Sequence, residues 1–524
     1  MDVPRPFRVL IIGGTGVFGS RLVRLLAGDD GIDVTIAARR PSAGVIALDY
    51  RRDLDEALRR GGYHAVVHSA GPFQGQDYQV AEACIRHGVH YIDLADDRAF
   101  VCSIDRLDDA ARAAGVLVCA GASTVPALTG AVLAEALKEG PVERVSFGIA
   151  PGNDAPRGPA LVEAILSGAG HPIADRPERR VWGDLRRLHI PGLGGRWVTA
   201  CDLPELPLFR KAFGVRDTYA GAGLELSVLH VGLWLLSWLV RLRLVRSLAP
   251  AARPLAWIAD RLRPFGSDRG GLRMDFDGRR SWYLVAEGGD GPFVPAVPAA
   301  ALLRKLAAGD VDKRGATPCL GLLSLAECEA EWRRARLRIG SAWMDEALHP
   351  SLYHRALGEA FERLPAICRR LHDSGASIWR GRCEVEGAAN TLGKALAWLF
   401  QFPAKGSGPI EVEFGVDGAR ETWTRRVAGR AMRSQQFIGS RRPRGWIAER
   451  FGPWTFDLEL RPEGNRLVLI MQRGRFLGIP VPRALLPRIR AFEEGHEEVY
   501  RFDVEIGLPL IGRLVRYRGE LTDR

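Results

Sequence analysis

The apolar run Phe7–Ile12 passes directly into Gly13-Gly14-Thr15-Gly16-Val17-Phe18-Gly19. No other stretch restricts the fold so strongly. Gly14, Gly16 and Gly19 form G-x-G-x-x-G. The motif is weak alone, but here it follows a strand-like run and opens a helix-like one, the context its physics requires. The first glycine permits a tight strand-to-helix turn, the second lets the backbone approach a pyrophosphate, and the third lets helix and strand pack closely. The pyrophosphate would lie on the free N–H groups and positive end of a helix beginning near Val17. The alternative is a glycine turn that holds no ligand.

The pattern around the motif agrees. Strand-like runs recur at 7–12, 33–38, 64–70, 89–94 and 116–121, with helix-like segments near 17–28, 53–61, 76–87 and 103–114 between them. Apolar strands alternating with amphipathic helices indicate a parallel sheet covered on both faces. Residues 1–130 are expected to form a doubly wound, Rossmann-type domain. At the end of Val34–Ala38, an NAD site would carry an acid for the ribose 2′-hydroxyl. Arg39 and Arg40 stand there instead. Arginine suits a 2′-phosphate through charge-assisted hydrogen bonds, so NADP(H) is favoured over NAD(H). Two solvated arginines are the plain alternative.

The strand ending at His68 is followed by Ser69-Ala70-Gly71-Pro72-Phe73. Ligands of open parallel sheets sit outside the carboxyl ends of the strands, so this loop should border the cofactor. The weak candidates for proton transfer near the nicotinamide end are His68, Asp77, Tyr91 and Asp93. His68 reads equally as a packed strand residue, and Asp93 as a helix cap or loop anchor. There is no Tyr-x-x-x-Lys pair, and the first lysine is Lys138, which excludes short-chain-dehydrogenase chemistry. No G-x-S-x-G occurs, so a serine hydrolase is not supported, and no metal site is expected.

The glycine run, the arginine after the second strand, the SAGPF loop, the Ala81–Leu94 run A-x-x-C-x-x-x-G-x-H-Y-x-D-L and the Gly121–Pro126 segment GASTVP together resemble the NADP-binding domain of saccharopine-dehydrogenase-like oxidoreductases. The resemblance covers about the first 130 residues and extends loosely to about 335. It implies that Ser69, Ala70 and Gly71 line the cofactor site. Trans-acting enoyl reductases of lipid and polyketide synthesis are similar proteins. Residues 131–340 would then be the α+β substrate and dimerisation domain, with a homodimer an open alternative. Leading into it, Ser123 or Thr124 is expected to cap a helix carrying Pro126 in its first turn. Pro292–Leu323 resembles a helix and loop returning towards the cofactor domain.

The 73 basic and 62 acidic residues leave a net charge of +11. Such a charge suits anionic partners. Nucleic acid is not expected among them, because no recognised nucleic-acid-binding motif occurs. The eight cysteines form no C-x-x-C pair and read as reduced thiols in a cytoplasmic protein. Leu226–Val240 is a 15-residue apolar stretch followed by Arg241, Arg243 and Arg246. It is short for a spanning helix, which needs about 20 apolar residues. A buried or dimer-interface helix and a membrane-surface helix through 226–246 both remain open. The latter would make the protein peripheral at a membrane.

From 345 to 524 the pattern changes to short strand-like runs near 377–386, 410–415, 422–427, 454–460, 466–474, 499–506 and 513–519, with helices over 353–371 and 387–400. A third, α+β domain with a mainly antiparallel sheet is expected. Its motifs Trp423-Thr-Arg425, Phe451-Gly-Pro453, Leu477-Gly-Ile-Pro480 and Tyr517-Arg-Gly519 resemble an uncharacterised domain fused to saccharopine-dehydrogenase-like proteins. Arg441, Arg442, Arg444 and Arg450 are expected on a solvated face. The reading that follows is an NADP(H)-dependent oxidoreductase moving a hydride to or from a lipidic, polyketide or other small carbonyl or enoyl substrate. The alternative is a non-catalytic NADP-binding sensor or scaffold with a lipid- or ligand-binding carboxy-terminal domain.

Overall fold

The computed structural model describes residues 6–522 except 157, 158, 346–350, 375, 376, 400, 401, 404, 418, 419, 428, 429, 439–442, 453, 477, 478 and 510. Arg441, Arg442, Pro453, Leu477 and Gly478 therefore lie outside the described residues. The chain divides into two units, one reaching Met344 except for Asp277–Arg280, the other taking in those four residues and Asp345 onwards.

The first unit opens with β1 (Phe7–Ile12), α1 (Val17–Leu26), β2 (Ile32–Ala38), β3 (Val45–Ala47), α2 (Leu54–Gly61), β4 (Ala65–His68), α3 (Gln79–Arg86), β5 (His90–Asp93), α4 (Arg98–Cys102), α5 (Asp108–Ala113) and β6 (Leu117–Ala120). The strands are parallel, and β4 and β6 are buried along their whole length. Val9, Leu10 and Ile11 are each 0% exposed, and each contributes about 1.5–3 kcal/mol by leaving water. Their side chains alternate between two cores, Val9 and Ile11 in one and Leu10 in the other. This confirms the doubly wound arrangement.

Beyond β6, regular helix begins only at α6 (Thr129–Leu137). Ser123 makes no side-chain cap bond, and Val125 (φ −116°, ψ 127°) interrupts the turn that carries Pro126. The expected cap and first-turn proline are thus replaced by a kinked, wider turn. The chain continues through β7 (Arg144–Ala150), α7 (Pro159–Gly168), β8 (Pro172–Ile173), β9 (Arg176–Arg180), β10 (Arg186–Ile190), β11 (Gly194–Ala200), α8 (Glu205–Phe213), β12 (Asp217–Ala222), α9 (Ser227–Arg241), α10 (Ala252–Arg261), β13 (Gly270–Phe276) and β14 (Arg280–Ala286). It closes with α11 (Val297–Ala308), β15 (Gly315–Pro318), α12 (Leu325–Arg334) and β16 (Ile339–Asp345).

Two seven-stranded sheets result, ordered β15-β6-β5-β4-β1-β2-β3 and β10-β11-β12-β7-β13-β14-β16. Gly315–Pro318 is therefore not the returning loop expected from the sequence. It pairs in parallel with β6, Gly315 opposite Leu117, and completes the first sheet. That sheet crosses the boundary expected at residue 130. One apolar core joins the sheets, running from Val9 and Leu22 to Phe147, Met274 and Trp282.

The second unit holds α13 (Leu352–Leu357), α14 (Ala366–Asp373), β17 (Ile378–Gly387), α15 (Thr391–Leu399), β18 (Gly406–Asp417), β19 (Arg420–Val427), β20 (Arg430–Phe437), β21 (Trp446–Phe451), β22 (Trp454–Glu463), β23 (Arg466–Phe476), β24 (Ile479–Pro480), β25 (Arg488–His496), β26 (Val499–Leu508) and β27 (Gly512–Thr522). The sheet is antiparallel in every described pairing, as expected. It is also closed. Strands run β22-β21-β20-β19-β18-β17-β27-β26-β25-β23, and β22 pairs with β23. Closure removes the free edges of an open sheet.

Candidate functional site

The glycine loop is shaped by contacts that tolerate no side chain. Gly13 has φ +79°, and a Cβ there would lie 3.0 Å from the Ala70 nitrogen. A Cβ on Gly14 would meet Ile36 at 2.7 Å. One on Gly19 would meet the Gly13 oxygen at 2.3 Å and Ser69 Oγ at 2.6 Å. Ser69 Oγ also donates to the Ile12 carbonyl at 2.9 Å. The structure thus brings Gly13 and Gly19 against Ala70 and Ser69, and Gly14 against Ile36. Gly71 follows on the exposed stretch of the same loop. Gly19→Ala should force this seam apart, lowering stability by about 1–3 kcal/mol, as overpacking does. Chemical denaturation would measure it, and an unchanged midpoint would contradict the packing role.

Thr15 and Gly16 are exposed, and Val17 and Phe18 open α1 half-buried. Gly16 caps α1 without a side-chain hydrogen bond, and the first turn holds no acid. The helix therefore presents backbone N–H groups and a positive end with no carboxylate to compete for them, which is an anion site. Arg39 and Arg40 follow β2 and are exposed. Among the described residues, neither has an acidic partner within ion-pair distance. The residues present fit NADP(H): a pyrophosphate cradle that a Cβ would fill, and two available guanidinium groups for a 2′-phosphate.

The proton-transfer candidates are placed differently from one another. His68 is 1% exposed, packed between Tyr50 and Phe73, with Nδ1 3.4 Å from Tyr91 Oη. Burial lowers its pKa to about 4, so the ring is neutral. Tyr91 is buried beside it, and burial raises its phenol well above the usual range. Asp77 is exposed and accepts from the Gln79 N–H near the start of α3. Asp93 is fully buried and anchors two loops, accepting from Ala95 N at 2.9 Å and Gly121 N at 2.7 Å. Burial raises its pKa to about 7, opposed by those two N–H groups. His68, Tyr91 and Asp93 are neighbours, whereas Asp77 stands on the following loop.

Sequence reasoning missed a further buried acid, which lies on α8. Glu205 is 0% exposed at the start of α8. Its Oε1 accepts from Thr129 Oγ1 at 2.7 Å, and its Oε2 has no hydrogen-bond partner. Burial raises its pKa to about 7, opposed by the Thr129 hydroxyl. The charge of Asp96, just past β5, adds to the rise. Asp96 also bears on Cys201, whose thiol burial pushes up to about 12. In the sequence, Glu205 follows Asp202-Leu203-Pro204 and looks like any first-turn acid. Only tertiary packing distinguishes it.

Residues 9–134 match the family model described as the saccharopine dehydrogenase NADP binding domain. The first domain is an NADP-binding domain of that family. With it, the chain is an NADP-dependent oxidoreductase. Residues 364–521 match a second family, a domain of unknown function designated DUF4166, which spans the barrel. A search of curated proteins finds no match. Among solved structures, the chain is similar to an amine dehydrogenase from Mycobacterium smegmatis, with 11% identity over 60% of this chain and 95% of that one at a TM-score of 0.36. It is also similar to a C. glutamicum DAP dehydrogenase in complex with DAP, with 12% identity over 60% and 93% at a TM-score of 0.31. A Nostoc punctiforme protein of the DUF3598 family, of unknown function, gives 9% identity over 49% and 66% at a TM-score of 0.21.

Proposed function

We propose that this oxidoreductase moves a hydride between NADP(H) and a carbonyl or enoyl group of a lipidic, polyketide or other small substrate, and that it meets apolar substrates at an anionic membrane surface. The observation behind the lipidic reading is the helical arm that carries α9 and α10. The inward side of α9 is fixed by His230, Leu233, Ser237 and Val240. The arm nevertheless leaves Leu235, Trp238, Leu244, Trp257 and Phe265 in solvent, with Trp257 at 60% and Phe265 at 74%. Between 226 and 265 stand six arginines and one acid. Arg241 lies over Trp238 and Arg261 over Trp257. Exposed tryptophans within a basic belt match the chemistry of an anionic bilayer interface. No helix among the described residues is long and apolar enough to cross a membrane.

Bound NADPH supplies the hydride. The chain must orient the substrate and hold a proton. Glu205 fits the second task, because an acid with a pKa near 7 is protonated over much of the working range and its Oε2 is uncommitted. In the reductive direction that proton goes to the carbonyl oxygen, or to the carbon beside the one receiving hydride.

Vesicle co-sedimentation tests the surface. Phosphatidylserine vesicles should bind the protein, phosphatidylcholine vesicles should bind it far less, and added salt should release it. Trp238→Ala with Trp257→Ala should weaken binding by at least about tenfold, equivalent to about 1.4 kcal/mol. Equal binding to both vesicle types, or none, overturns the membrane reading. Concentration-dependent dimers lost in the same variant would assign the arm to a second copy. Substrate-dependent NADPH oxidation, screened with medium-chain enones and aldehydes, tests the chemistry. Tight NADPH binding without turnover would favour the sensor reading.

A further inference from the structure

The closed barrel of the second unit encloses a space that no described function uses. The cavity measures about 70 Å³ and is partly open to solvent. Most of the wall is apolar, including Val412, Leu458, Leu469 and Phe502. A closed antiparallel barrel of this kind can hold one small ligand.

The wall also carries polar groups at unusual depth. Arg425 Nη1 donates to Ser434 Oγ at 2.9 Å, and its guanidinium covers the Trp423 ring at 4.8 Å. Its Nη2 lies 3.5 Å from Glu449 Oε1, within ion-pair range but long for a hydrogen bond. Glu493 is bonded to His372 Nε2 at 2.7 Å. Gln436 and Glu449 are 1% and 8% exposed, line the cavity, and keep Gln436 Oε1 and Glu449 Oε1 without hydrogen-bond partners. A buried acceptor left unpaired costs about 1–3 kcal/mol. Two on one cavity wall point to a ligand that brings the missing donor.

We infer that the barrel binds a largely apolar molecule bearing a hydroxyl group, whose O–H is donated to Gln436 Oε1, across the strand pair from Glu449. A donor is required because both unpaired atoms are acceptors. A carboxylate head is disfavoured, since it would face Glu449 and Glu493. An ammonium head is disfavoured because Arg425 already balances Glu449 and His372 already bonds Glu493, leaving no free anion to offset the burial of a charge.

A chain-matched series tests this on the full-length protein: 1-octanol, octanoate and octylamine, followed by Trp fluorescence and by thermal shift. Octanol should bind at least about tenfold more tightly than either charged analogue, a difference of about 1.4 kcal/mol. Gln436→Leu should erase that preference while the melting temperature holds or rises, because the substitution removes an unpaired buried group. If Gln436→Leu does not fold, the ligand ranking on the unaltered chain still decides. Failure of octanol to bind, or octanoate binding as well as octanol, overturns the inference. So does a folded Gln436→Leu protein that retains the preference.

Discussion

Replacing Arg39 with aspartate and Arg40 with serine should weaken NADPH binding by about a hundredfold or more and leave NADH binding within about threefold. The size follows from the chemistry of the pair. Each charge-assisted hydrogen bond to a phosphate contributes about 1.5–3 kcal/mol, and about 2.7 kcal/mol is a hundredfold. Aspartate adds repulsion towards the 2′-phosphate and supplies an acceptor for a 2′-hydroxyl, so the preference should reverse. Both side chains are exposed, so folding should be unaffected. Fluorescence titration with the two cofactors measures the ratio. An unchanged ratio would show that Arg39 and Arg40 are only solvated surface charges.

Glu205→Gln should flatten the dependence of stability on pH. An acid whose pKa rises on folding keeps its proton in the folded state after the unfolded chain has released it. Stability contributed this way is present in acid and is lost as pH rises through the folded value. For Glu205 the window runs from its ordinary 4.5 to about 7. For Asp93 it runs from 3.8 to about 7. At about 1.36 kcal/mol per pKa unit, Glu205 alone costs roughly 3 kcal/mol by the alkaline end of its window. Glutamine keeps an acceptor for Thr129 and carries no charge. The variant should therefore match the parent near pH 5 and melt roughly 6 °C higher near pH 8. About half of the slope should remain, from Asp93. NADPH affinity should hold while reductive turnover falls. Parallel stability curves for the two proteins would show that Glu205 does not hold a proton in the folded state.

The nucleotide domain was legible because its signals are local. Glycines adjacent in the chain are adjacent in space, and strands buried on both faces read as unbroken apolar runs. Arg39 needed only its place after Ala38. Glu205 was not legible, because its burial depends on Thr129, 76 positions earlier. The barrel was read as a sheet but not as a ring. Of the strands that form the ring, the sequence reading missed three, 430–437, 446–451 and 488–496. In each, inward positions carry polar residues, among them Ser434, Gln436, Glu449 and Glu493. These interrupt the apolar alternation by which a half-buried strand is recognised. Of these, Gln436, Glu449 and Glu493 line the cavity.

The edge strand β15 sets an order of events during synthesis. Its partner β6 ends at Ala120, but β15 begins at Gly315. At roughly 5–20 residues per second, some ten to forty seconds separate their emergence from the ribosome. During that interval β6 is an unpaired edge, while all strands of the second sheet except β16 emerge. A chain released before residue 318 would retain the glycine loop yet expose a sticky strand. Nonsense truncations in this interval should therefore give aggregates instead of small nucleotide-binding fragments.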